Sequence, residues 1–227
     1  MTILGDIVDL NAQKNHPRFG QRTSWDLHEA EITRQLERYA YSIEEFKAQY
    51  GCGPNDDAQT NGTSDPVRGE WIHQTRKVAA YATHIMHVLH ILLHGKWYPV
   101  ALLEDDNMWI CSQSFLAATS NAIAAAGAVE AILDVDPDLS FMPYLFGMVS
   151  GRPDGLRSTL TCKQYLLQGS LILLLLADKL STETNDNVIR ACETIVRAHE
   201  AAVVTLNTEY QVCCSPNRCD ADGTDHL

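Results

Sequence analysis

The chain has 227 residues, 45% of them hydrophobic, enough to bury a sizeable core as one large domain or two small ones, so a globular protein is expected. A net charge of -12 and a pI near 5.1 argue against wrapping nucleic acid, which takes clustered Lys and Arg to neutralise phosphate. Seven scattered cysteines form no disulfide framework, and the cluster Cys213, Cys214, Cys219 lacks the fourth ligand of a closed zinc site.

Residues 1–13 carry Ile3, Leu4, Ile7, Val8 and Leu10 at helical spacing without an upstream cap, as at a cut into a longer protein. No secretory signal pattern is visible there, so an intracellular, reducing compartment is expected. After a break at His16–Gly20, Thr23-Ser24-Trp25-Asp26 predicts a cap and early acidic charge. The helix that follows runs to about Tyr50, with Leu27, Ile32, Leu36, Tyr39, Ile43 and Phe46 on its apolar face. Residues 51–67, rich in Gly, Pro, Asn and Asp, predict an exposed loop. Helicity resumes near Arg68 or Glu70, with Trp71, Val78 and Tyr81 inward.

That helix leads into the most distinctive stretch. Ile85, Met86, Val88, Leu89, Ile91, Leu92 and Leu93 point almost everywhere, which places the helix in a core. Its only polar strip is His84, His87, His90 and His94, spread over about 120° at about 100° per residue. Gly95 predicts a left-handed stop, Lys96-Trp97-Tyr98-Pro99 a stiff bend, and Glu104-Asp105-Asp106-Asn107 the polar start of a helix from near Met108-Trp109. Phe115, Leu116, Ile123, Val129 and Leu133 line it, and Asp136-Pro137 ends it. An apolar stretch near Tyr165–Leu180 is short of the roughly 20 residues that span a bilayer, so no membrane partner is expected. A final helix, Asn187 to about Gln211, places Val188, Cys192, Ile195, Val196, Val203 and Leu206 inward.

Neither period-two alternation, nor a fixed repeat, nor a heptad seam is apparent. The fold class is therefore all-α, a multi-helix bundle or layered array of antiparallel helical hairpins. His90 and His94 have the four-residue spacing at which two imidazoles can share a metal, but HEXXH is absent and the nearest acids, Glu104 to Asp106, lie beyond a turn. The stripe is expected instead to hydrogen-bond to neighbouring helices and fix their register. No glycine-rich elbow surrounds Cys111 or Ser114, and no phosphate-cradling motif occurs. The residues read as an interaction or regulatory module with no catalytic residue, cofactor or metal ligand. The rival readings are a helical metal-dependent enzyme built on the stripe, and a ligand-free dimerisation scaffold.

Five blocks resemble the C-terminal regulatory region of the fungal xylanolytic transcriptional activators, members of the zinc binuclear cluster family. They span Gly5–Ala40, Tyr81–Trp97 (YATHIMHVLHILLHGKW), Leu102–Phe115 (LLEDDNMWICSQSF), Tyr165–Leu180 (YLLQGSLILLLLADKL) and Ala191–Gln211. The resemblance implies a nuclear regulator, able to shuttle with the cytoplasm, that switches on xylan- and cellulose-degrading genes in response to a small sugar inducer. Coregulator proteins or self-association are the implied partners. In that family zinc and DNA belong to an N-terminal six-cysteine module, and no C-x2-C-x6-C occurs in this sequence. No family site residue carries over. The residue-level candidate for a regulatory hinge is His84, His87, His90 and His94 with Lys96 and Trp97.

The resemblance breaks at Val149–Gln164 and after Gln211. Sixteen residues correspond to 48 nucleotides, and codons for Val149-Ser150, Leu160-Thr161 and Gln164 can spell an intron donor, branch sequence and acceptor in order. Val212-Cys213 can likewise be a donor. The expected organisation is one all-α regulatory domain over 1–211, with 149–164 an intron-derived insertion and 212–227 a disordered, intron-derived tail.

Overall fold

A computed structural model describes residues 3–14, 16, 25–50, 66–95, 109–139, 172–175 and 186–213, with side chains described as far as 204. Among these there is helix and no strand, as the period of the apolar residues requires. The elements are α1 (Ile3–Lys14), α2 (Asp26–Gln49), α3 (Pro66–His94), α4 (Gln113–Val135) and α5 (Asp186–Cys213), with a helical turn at 172–175.

The longest helix, α3, is the centre of the array. It packs along α4 on one side and against α2 and α1 on the other, while α5 covers α4. Its partners run in opposite order, His84 with Ala125 and His87 with Asn121, so α3 and α4 form an antiparallel pair. Glu29 meets His94 at one end of α2 and Tyr50 meets Trp71 at the other, which makes α2 antiparallel to α3 as well. Ala118, Ala122, Ala125 and Ala126, all at most 2% exposed, give α4 a low profile that lets Tyr81 and Ile91 approach closely. Ile7, Leu10, Ile32, Leu36, Val88, Leu89, Leu92 and Leu93 form a second core between α1, α2 and α3. Complete burial of one such Leu or Ile stabilises by roughly 1.5–3 kcal/mol. By length and composition α4 is the one helix among the described residues that could cross a membrane, but here Phe115, Val129 and Ile132 are buried in the protein core.

The helix ends depart from the sequence expectations in informative ways. Trp25 occupies the cap position of α2 and no side chain caps it, so only the early acids Asp26 and Glu29 match the prediction. Pro66 starts α3 earlier than residue 68, where a missing N–H costs nothing. Gly95 does not adopt a left-handed backbone; its amide bonds Ile91 O, and a Cβ there would lie 2.5 Å from that oxygen. Closeness to the preceding turn is what demands glycine. Residues 109–111 form a turn, and α4 begins at Gln113 under Ser112, whose Oγ accepts from Phe115 N at 3.2 Å. Met108-Trp109 is therefore not its start, and Cys111 precedes the helix. At the far end Asp136 is the C-cap, and buried Leu139 takes φ 50°, a strained value for a branched residue.

Several apolar residues assigned inward face solvent: Leu27, Trp71, Val78, Leu116, Val196 and Val203. In each helix a neighbour fills the core, such as Ile32 in α2 and Ala198 in α5, because a helix in a layered array buries only part of its circumference. The loop at 51–67 and the insertion at 149–164 lie outside the described residues, apart from 66 and 67, which belong to α3. Residues 212 and 213 continue α5, so the predicted tail begins with helix.

Candidate functional site

The four histidines share one helix but serve two interfaces. His84 is buried against α4, where its Nδ1 donates to Ala125 O at 3.2 Å. Because a carbonyl can only accept, the proton sits on Nδ1 and Nε2 is left as a buried acceptor with no partner among the described residues. Burial pushes the ring down to about 4, so it is neutral at physiological pH. One turn on, Asn121 Nδ2 donates to Ala117 O, which aims Asn121 Oδ1 at His87 Nδ1, 3.0 Å away. These bonds fix the register of an otherwise alanine-smooth contact.

His94 turns toward α2. Its Nδ1 donates to Glu29 Oε1 at 3.2 Å, and Lys14 Nζ of α1 reaches Glu29 Oε2 at 2.6 Å. The His94 bond, then Lys14, holds the Glu29 carboxyl down to about 2 against the opposing effect of burial. His90 stacks on His94, ring centroids 6.3 Å apart, and is lowered to about 4 by burial and by the neighbouring histidines. The stripe thus joins α1 and α2 to α4 through α3. Lys96 and Trp97, the other residues of the predicted hinge, lie outside the described residues, as do Glu104 to Asp106.

Among the described residues no three of His, Cys, Asp and Glu gather as metal ligands would. His90 and His94 stack ring on ring instead of converging on a point. Cys111 is exposed and Cys192 half-buried, both free thiols. Burial raises the Cys192 thiol, the opposite of what activates a nucleophile.

A second polar centre went unread in the sequence. Asp136, 4% exposed, accepts from Tyr81 Oη at 2.8 Å and lies 3.2 Å from Lys77 Nζ. Lys77 and Tyr81, four apart, stand on one face of α3 and hold the carboxylate where α4 ends. Asp136 beside Pro137 reads as a helix stop, and nothing local marks it as the partner of residues some 55 positions earlier. Between α1 and α2 lies an open cleft of about 330 Å³, lined by Asp6, Asp9, Gln13, His28, Glu31 and Gln35 over the apolar Leu10 and Ile32.

No family profile matches the chain, and no solved structure matches it. Among curated proteins it is similar to the xylanolytic transcriptional activator xlnR of Aspergillus flavus, 49% identical over 93% of the chain. The proteins of the same name from Aspergillus niger and Aspergillus fumigatus are 50% and 48% identical over the same share. The chain spans only 22–23% of the length of these relatives. They are named as transcriptional activators and not as enzymes.

Proposed function

We propose that this chain, a homologue of one segment of the fungal xylanolytic transcriptional activators, is a regulatory part of such an activator and controls xylan- and cellulose-degrading genes through protein contacts. The observation that carries the reading is identity near one half along 93% of the chain, far beyond what a shared helical pattern produces. The named activity belongs to proteins more than four times as long, and in this reading DNA is bound, with zinc, by a module outside this segment. The site of action is the nucleus.

The segment acts by shifting between two helix packings. A sugar inducer or a coregulator that prefers one of them changes its population in proportion to the difference in affinity. The histidine stripe, with Lys96 and Trp97 that follow it in sequence, is the hinge, and two hydrogen-bonded seams on one helix support it: movement of α3 against α4 is felt at Glu29 on α2. The hydroxyl-bonding groups of the α1–α2 cleft suit an inducer such as xylose.

The test places His87→Leu with His90→Leu in the full-length activator and reads a xylanase-promoter reporter against xylose dose. The expected result is a displaced dose response with the purified domain still folded. An unchanged response, or loss of folding, refutes the hinge. Stoichiometric zinc or iron in the purified chain would instead favour an enzyme.

A further inference from the structure

The cleft between α1 and α2 is tied to the histidine seam of α3 by a clamp of three side chains. Gln13 and His28 form one end of the cleft wall. Lys14 and Glu29, the next residue on each helix, do not line the cleft but bind each other, Nζ to Oε2 at 2.6 Å. The other oxygen of the same carboxylate accepts from His94 Nδ1 at 3.2 Å. Successive residues of a helix stand about 100° apart, so on each helix one residue meets the cleft while its neighbour turns to the clamp. Glu29 is thus a single group on which α1, α2 and α3 converge. Both of its bonds favour the ionised form and outweigh the effect of burial.

We infer that the Lys14–Glu29–His94 clamp sets the width of the cleft and carries its occupancy to the seam, with Lys14 and Glu29 as positioning residues that do not touch the ligand, an inference that rests on the reading of the cleft as the inducer site. An α-helix moves as a body over one turn, because its backbone bonds tie each residue to the one four before it. A ligand that draws Gln13 and His28 together therefore displaces Lys14 and Glu29 with them. At Glu29 the displacement meets a bond whose other end is on α3. His94 stacks on His90, and His87 of the same helix bonds Asn121 of α4. The floor of the cleft moves with the clamp as well, since Leu10 and Ile32 belong to the same core as Leu89, Leu92 and Leu93. Linkage makes the coupling reciprocal: the factor by which breaking the clamp weakens the ligand is the factor by which the ligand strengthens the clamp.

Calorimetric titration of the full chain with xylose, with the His94 ring followed by NMR over the same titration, tests this. The wild-type chain should bind the sugar, and the His94 ring signal should move as the site fills. Lys14→Met should weaken binding by about tenfold and hold the His94 signal still at saturation, with an unchanged helical circular dichroism spectrum. Lys14→Arg, which keeps the cation, should retain both responses. Gln35→Ala, at the far end of the cleft, should weaken binding yet leave the His94 shift intact once the sugar saturates. If Lys14→Met fails to fold, Glu29→Gln takes its place with the same expected loss of affinity. Affinity that these clamp variants leave unchanged, or a His94 signal that stays still while the wild-type chain binds xylose, overturns the clamp and leaves the cleft reading standing. Absence of xylose binding to the wild-type chain overturns the cleft reading and the role of the clamp with it.

Discussion

Replacing Lys77 by methionine keeps the length of the side chain and removes the cation 3.2 Å from Asp136. The two side chains are only 12% and 5% exposed, so solvent cannot take over the stabilisation of the carboxylate. Removing one partner of a buried pair costs about 3–5 kcal/mol. At the partial exposure of Lys77 the lower figure, about 3 kcal/mol, is the appropriate one. For a chain of this size each kcal/mol moves the melting temperature by about 2–4 °C, so a fall of about 6–12 °C is expected in a circular dichroism melt. Tyr81→Phe, which deletes a hydrogen bond to a charged acceptor, should cost about 1.5–3 kcal/mol. Adding Asp136→Leu to Lys77→Met removes the buried charge but also the acceptor of Tyr81, so it should recover only part of the loss, a coupling that a double-mutant cycle measures. A Lys77→Met shift below about 2 °C, or no recovery in the double variant, would refute the view that this buried pair fastens α3 to the end of α4.

The histidine seam makes stability depend on pH. His84 binds its proton at about 4 when folded and near 6.5 when unfolded, so the unfolded chain takes up more protons between those values. Its contribution is complete above pH 6.5 and is lost as pH falls toward 4, by about 3 kcal/mol in all. Urea midpoints from pH 8 to 4 should show this slope flattened in His84→Leu. Glu29 adds a later phase, complete above pH 4.5 and lost as pH falls toward 2. The two glycines should respond with opposite sign: Gly127→Ala, with open space around the added Cβ, should raise stability by about 0.5–1 kcal/mol. Gly95→Ala meets Ile91 O and should lower it, as paired chemical denaturation would show. Ser112→Ala removes the cap of α4 and should cost about 1 kcal/mol in the same assay. Sequencing the transcript across the codons for Met148 to Tyr165 and beyond Gln211 should find both intron-like stretches spliced out, and their retention would show them to be protein.

The sequence by itself determined that the chain is helical, because a 3.6-residue apolar period with no alternation leaves no other way to bury that surface. It also located α1, α2 and the body of α3 closely, and it identified the histidines as the one polar strip on a core helix. The partners of those histidines were decided by the tertiary structure. Asn121, the carbonyl of Ala125 and Glu29 are brought to the strip by antiparallel packing, and spacing along one helix carries no information about what lies opposite it. The same limit hid Asp136, whose local context reads only as a helix stop. It also reversed Val196 and Val203, whose seven-residue spacing fits an inward stripe as well as an outward one. An amphipathic pattern shows that a helix has a face to bury, and only the assembled array shows which face the neighbouring helices cover.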